Sequence, residues 1–251
     1  MDFADSEPTR ELINGWVDEQ TETRIKNLLP PASLTSDTRL VLTNAIYFKA
    51  NWLSQFDADD TEEGIFHAPA GDRTVPMMHQ TLSTAYAEGA NYQALEMSYL
   101  SPDVRMLFVL PAEGEFEAVS GALDDAFFQE VRAGLSEHDA TLTLPRFEFE
   151  SENPLKAPLR TLGMQLPFEG DADFMGIAGG VEPLWIDQVY HKAFVAVDEE
   201  GTEAAAATAV VVTTESAKPL AEISFDRPFL FAIYDEPTGQ ILFLGHLLDP
   251  G

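Results

Sequence analysis

Polar and apolar residues alternate along several stretches of the chain, and each alternation predicts a strand. In residues 39–50, Leu40, Leu42, Asn44, Ile46 and Phe48 fall on one face, the period of two expected of a half-buried strand. Residues 141–149 and 191–197 alternate in the same way. Shorter strands are predicted at 74–78, 84–87 and 104–110, between turns that contain Gly or Pro. Residues 229–233 and 241–247 read as a hairpin around Pro237-Thr238-Gly239. Near the N-terminus the period lengthens to that of a helix. Leu12, Ile13, Trp16 and Val17 share one face, Ser6 stands at the cap, and Glu7 and Pro8 occupy the first turn. Residues 116–135 and 153–164 also read as helical. Strands outnumber helices, and the helices interrupt the strands instead of alternating with them. That is an α+β pattern, not a doubly wound sheet. No internal repeat and no interdomain linker is visible.

Composition narrows the function classes. With 251 residues, 45% of them hydrophobic, the chain can bury a sizeable core. Its 14 basic residues against 43 acidic ones give a formal charge of −29. Such a surface repels nucleic-acid phosphates and anionic lipid heads, so neither nucleic acid nor a membrane is expected as a partner. The acid excess suits solubility or a salty habitat, where screening relieves self-repulsion. There is no cysteine, which removes disulfides, thiolate nucleophiles and thiolate-bound metals together. No apolar run approaches the roughly 20 residues of a membrane span. Met1-Asp2-Phe3-Ala4-Asp5 is acidic and has no apolar core, so no signal peptide is read there.

A search for catalytic chemistry returns little. There is no G-x-S-x-G elbow, Walker loop or strand-linked G-x-G-x-x-G. His67, His79, His138, His191 and His246 show no tight metal-ligand spacing. The acidic run from Asp57 has Glu62 where a calcium loop needs its sixth-position glycine. No metal, cofactor or enzymatic activity is therefore expected. Two features stand out instead. Asn44 is a polar residue on the apolar face of its strand, and a buried carboxamide needs a hydrogen-bond partner. Residues 199–216 combine a run of alanines that favours helix with Val210, Val211, Val212, Thr213 and Thr214, which favour strand. Small and β-branched residues without proline allow such a segment to enter a sheet.

The stretch Glu199-Glu200-Gly201-Thr202-Glu203-Ala204-Ala205-Ala206-Ala207-Thr208 resembles the reactive-centre-loop hinge of inhibitory serpins, a family of serine protease inhibitors. Leu40-Val41-Leu42-Thr43-Asn44-Ala45-Ile46-Tyr47-Phe48-Lys49 followed by Trp52 resembles the third strand of the serpin A sheet, and His191-Lys192-Ala193-Phe194 its fifth. Val75-Pro76-Met77-Met78-His79, Phe225-Asp226-Arg227-Pro228-Phe229 and Gly245-His246-Leu247 are similar to further family segments. The matches run in order across essentially the whole chain. They imply a partial serpin fold of mixed β-sheets with surface helices and an exposed reactive-centre loop. The whole chain, residues 1–251, is read as a single serpin domain that lacks the family's N-terminal helices and first two A-sheet strands.

The resemblance also implies a mechanism. A serine protease cleaves the loop and becomes acyl-linked to it, and the hinge then inserts between A-sheet strands three and five, distorting the enzyme. On insertion Thr202, Ala204, Ala206, Thr208, Val210, Val212 and Thr214 would face inward. Burying that row releases on the order of 10 kcal/mol, from roughly 1 kcal/mol per side chain plus new hydrogen bonds, so the intact form is metastable. Asn44 and His191 match the family's shutter pair, and Trp52 the breach tryptophan where the loop begins to enter. None of the three is catalytic. Counting from Gly201 puts the reactive bond at Glu215–Ser216, while counting back from Phe225 slides it toward Ala217. Lys218 is disfavoured because Pro219 follows it. The expected partner is a protease that accepts an acidic or small residue, whether glutamyl-specific, elastase-like or subtilisin-like. An extracellular site of action follows from the resemblance. The alternative is a non-inhibitory serpin acting as carrier or chaperone, but such members tend to carry bulky or charged residues in the hinge.

Overall fold

The computed structural model describes residues 3, 5–177, 183–202 and 219–251. In chain order the regular elements are α1 (Ser6–Gln20), β1 (Val41–Tyr47), β2 (Ala50–Asn51), β3 (Glu62–Ala68), β4 (Gly71–Glu88), β5 (Tyr92–Ser98), β6 (Val104–Pro111), α2 (Phe116–Gly121), α3 (Asp125–Gly134), β7 (Ser136–Pro145), β8 (Phe147–Pro154), α4 (Lys156–Thr161), β9 (Gln188–Val197), β10 (Gly201–Thr202), β11 (Leu220–Ser224), β12 (Phe229–Asp235) and β13 (Ile241–Leu247). They fall into two compact units, residues 1–48 with 149–195 and residues 49–148 with 196–251.

The first unit holds α1 and a three-stranded sheet in the order β1-β9-β8. β1 pairs directly with β9 in parallel, from Val41 opposite Gln188 to Tyr47 opposite Phe194. Leu40, Leu155, Leu159, Met164 and Phe174 close around a small core of Phe168, Ile186 and Val189. β9 also buries a cation. The Lys192 ammonium donates to Glu150 at 2.8 Å and to the Lys26 carbonyl at 3.0 Å, with Glu152 at 3.4 Å. A lysine is buried only where its charge is matched in this way.

α1 departs from the sequence expectation in two respects. Ser6 is the first helical residue, not the cap; Asp5 holds that position and makes no side-chain cap bond. Leu12 and Trp16 are 59% and 60% exposed, while Thr9, Asn14 and Val17 point inward. A polar clamp accounts for this rotation. The buried Asn14 carboxamide donates to the Leu29 carbonyl at 2.9 Å and accepts from the Leu29 amide at 2.8 Å. Those bonds hold an irregular loop whose Glu22, Thr23, Asn27 and Ala32 have left-handed backbones, a conformation that costs roughly 1 kcal/mol or more per residue. Full burial of Ile25, Leu28 and Leu29 offsets that cost.

The second unit is built on an eight-stranded sheet ordered β11-β7-β4-β5-β6-β12-β13, with β3 also on β4. The strands read separately at 74–78 and 84–87 are parts of β4, an 18-residue strand that pairs with β3, β7 and β5 along its length. The length of β4 hides its alternation, because one part pairs differently from the next. β6 and β12 are buried on both faces and accordingly read as continuous apolar runs. On one side, Val119 of α2 and Phe128 and Val131 of α3 pack with Leu107, Val109, Leu230 and Tyr234. The helix expected over 116–135 is broken at residues 122–124, where Asp124 caps α3 by accepting from the Phe127 amide at 2.8 Å. The helix expected over 153–164 is likewise shorter, because residues as far as Pro154 remain in β8. The β12–β13 hairpin forms as expected.

Replacing Asn14 with Ala leaves the Leu29 amide without its buried acceptor, while the Leu29 carbonyl keeps the Arg10 guanidinium at 3.0 Å. We expect a stability loss of about 1–3 kcal/mol, measured by denaturant unfolding, with Asn14→Asp losing less than Asn14→Ala.

Candidate functional site: the hinge seat and the strand pair

The residues singled out from the sequence occupy two places, one in each unit. In the second unit, the chain after β9 turns at Asp198 and lays Gly201 and Thr202 antiparallel against β2, with Gly201 opposite Asn51 and Thr202 opposite Ala50. The Asp198 carboxylate accepts from the amides of Glu200 and Gly201, both at 3.0 Å, and so makes the turn. Backbone bonds from Trp52 to the Glu200 carbonyl and from Phe56 to the Glu199 carbonyl, both 2.9 Å, tie the two segments together. Gln55 Nε2 adds a third bond, to the Glu200 carbonyl at 3.0 Å. Only glycine fits at 201. Its φ is +155°, and a Cβ there would lie 2.2 Å from the Ala50 carbonyl oxygen and 2.7 Å from Asn51 Cα.

Trp52 forms the floor of this seat. It is buried, its indole N–H donates to the Asp198 carbonyl at 3.1 Å, and its ring stacks on Tyr99 with centroids 4.5 Å apart. Thr202, 0% exposed, has its hydroxyl 2.8 Å from that of Tyr99. Glu199 is buried as well and is held by Arg146 on both carboxylate oxygens, with Thr61 donating at 2.7 Å. Burial alone would raise its pKa. The bonds from Arg146 and Thr61 outweigh that and hold the carboxyl below its usual value. Glu200 is half-buried.

In the first unit, Asn44 and His191 are cross-strand partners in the β1–β9 ladder. His191 Nδ1 donates to Asn44 Oδ1 at 2.8 Å. The expected bonded partner is present, but the expected burial is not: Asn44 is exposed. β1 is the edge of its sheet, and a cavity of about 370 Å³ opens on it, lined by Trp16, Val17, Leu28, Asn44 and Ile46 among others. For the same reason Leu42 and Ile46 are 41% and 36% exposed. His191 is half-buried, and burial pushes its pKa below the ordinary histidine value, so the ring is neutral with its proton on Nδ1.

The remaining hinge residues, Glu203, Ala204, Ala205, Ala206, Ala207 and Thr208, and the bond between Glu215 and Ser216 lie outside the described residues. Sequence reasoning missed Tyr99, Arg146, Thr61 and Asp198. None lies in a motif, and each reaches the seat through a long-range contact or a turn.

Gly201 and Thr202 laid on β2 in one unit, β1 paired directly with β9 in the other, and mixed sheets characterise this fold. The serpin (serine protease inhibitor) family matches residues 1–250, and the chain belongs to that family. An uncharacterised serpin-like protein of Thermococcus kodakarensis is 46% identical over 98% of this chain and 57% of its own length. Plasminogen activator inhibitor 1 of Bos taurus is 36% identical, over 100% of this chain and 64% of its own length. A crystal structure of uncleaved ovalbumin superposes with a TM-score of 0.87 at 30% identity, covering 100% of this chain and 65% of that one. The fold is therefore a serpin fold, and this chain spans 57% of the length of its archaeal relative.

The lowered pKa of His191 sets a sign for pH dependence. The folded form holds a neutral ring, whereas the unfolded chain takes up a proton near pH 6.5. Stability from this group is therefore full above about pH 6.5 and is lost as the pH falls through the folded value. Thermal midpoints of the wild type relative to His191→Gln should fall between pH 7.5 and 5.5. A constant difference would contradict the assignment.

Proposed function

We propose that this serpin chain carries the trapping machinery of a suicide-substrate inhibitor of a serine protease. The supporting observation is the direct parallel pairing of β1 and β9, with the hinge following β9 in the chain and already seated as far as Thr202. In this reading the protease serine attacks the carbonyl carbon of Glu215. The peptide C–N bond breaks, the amine of Ser216 leaves with a proton from the protease's general acid, and an acyl ester joins the loop to the enzyme. The freed hinge then enters between β1 and β9. One seven-residue parallel ladder is lost and two antiparallel ladders replace it, which is downhill in hydrogen bonding as well as in burial.

The seat also supplies a register for that entry. Continuing the pairing of Thr202 with Ala50 back along the same chain brings Glu203 opposite Lys49, Ala206 opposite Ile46, and Thr208 opposite Asn44. Thr208 then arrives at the Asn44–His191 bond, which must open to admit it. Asn44 and His191 act as shutter and Trp52 as breach in this scheme. We place its work outside the cell and read its target as glutamyl-specific, elastase-like or subtilisin-like. Among the described residues no helix is long and apolar enough to cross a membrane.

Mixing the full-length protein with a panel of such proteases should give an SDS-stable band heavier than either partner. Mass spectrometry should then find a released peptide that begins at Ser216. Clean cleavage by every protease with no heavier band would refute inhibition, and a peptide beginning at Pro219 would move the bond and the protease class. Thr202→Arg should convert the inhibitor to a substrate. Thr202 is already buried in the intact form, so a guanidinium there unseats the hinge before cleavage as well as opposing its burial afterwards, at a cost of several kcal/mol. Trapping at wild-type stoichiometry by this variant would contradict the inward assignment.

A further inference from the structure

We infer that Tyr99 is a positioning residue for loop insertion: its hydroxyl latches Thr202 in the seat and so sets the point from which the hinge enters the sheet. The inference rests on the inhibitory reading for its consequence, but not for its geometry.

Tyr99 is fully buried at the end of β5, and its neighbours account for both parts of the side chain. The ring is held by the stack on Trp52, 14° from parallel. The hydroxyl lies 3.3 Å from Met106 Sδ and 2.8 Å from Thr202 Oγ1. Either hydroxyl can be the donor in the bond between Tyr99 and Thr202. Burial drives the phenol pKa far above its ordinary value, so the latch is uncharged and does not titrate near neutral pH. Water cannot substitute for a partner in this site, because Thr202, Trp52 and Tyr99 are all buried. Releasing Thr202 would break the bond between the two hydroxyls in a buried site.

The position of the latch gives it leverage. Thr202 is fully buried and lies opposite Ala50 on β2. The backbone bonds from Trp52 and Phe56 fall on Glu200 and Glu199, and the Tyr99 hydroxyl is the side-chain group that meets Thr202 itself. After acylation, insertion competes with hydrolysis of the ester. A hinge that is already engaged starts the insertion without a search, while an unlatched one concedes time to hydrolysis.

Tyr99→Phe removes the hydroxyl and keeps the ring that stacks on Trp52. In the full-length protein, before any protease is added, hydrogen exchange at the Trp52 amide reports the seat directly, since that amide donates to the Glu200 carbonyl. Exchange there should quicken about three- to ten-fold, the ratio expected for one lost hydrogen bond, with Trp52 fluorescence retained. With a trapped protease, the number of inhibitor molecules consumed per enzyme should rise by a similar factor, while the rate of loop cleavage stays unchanged. Thr202→Val should match both effects, and the double variant should add nothing to either one. Unchanged Trp52 exchange in Tyr99→Phe, or multiplicative effects in the double variant, would overturn the latch. If no protease is trapped by the wild type, the inhibitory reading fails, while the exchange measurement still decides for or against the latch.

Discussion

The close approach of Gly201 to the backbone of Ala50 and Asn51 is the contact on which the hinge arrangement depends. It leaves no room for a Cβ, and it delivers Thr202 into a buried slot beside Tyr99. The neighbouring groups serve that approach. Asp198 turns the chain, Trp52 and Phe56 offer amides to the carbonyls that precede Gly201, and Arg146 and Thr61 neutralise the carboxylate that burial at Glu199 would otherwise penalise. Gly201 and Thr202 are thus held antiparallel to β2 by the groups around them.

The strand pair in the other unit has the opposite character. β1 and β9 form a complete parallel ladder, yet β1 is an edge strand with exposed Leu42 and Ile46. A parallel ladder is slightly weaker per residue than an antiparallel one, and an edge strand lacks support on its far side. The Asn44–His191 bond adds a specific polar tie across that ladder, with a neutral ring as donor.

The charge distribution follows the same division. With 14 basic residues against 43 acidic ones, the cations are scarce, and several are committed internally. Lys192 neutralises Glu150 and Glu152 along β9, Arg146 meets Glu199 at the seat, and Arg132 lies over the Tyr234 ring at 4.6 Å. Lys192 is itself the buried charge and the two glutamates match it, whereas Arg146 meets a buried anion and Arg132 a buried aromatic face.

Local signals were enough to recover the α+β pattern and the β12–β13 hairpin, because each rests on a run of neighbouring residues. Alternation marked β1 and β9. Other features depended on contacts distant in sequence. The apolar face predicted for α1 lost to the Asn14–Leu29 clamp, since two buried hydrogen bonds decide a helix's rotation more firmly than exposed Leu12 and Trp16. Asn44 is exposed because its burial depends on what lies across the sheet, which its own strand does not encode. Tyr99 and Arg146 carry no local signature at all. They stand 103 and 53 residues from the hinge groups they hold, and only the folded chain brings them there. Alternation in the sequence by itself determined that β1 and β9 are strands. The tertiary structure decided that Gly201 and Thr202 lie against β2, because the distant side chains of Trp52, Tyr99 and Arg146 meet residues 198–202 only after the chain has folded.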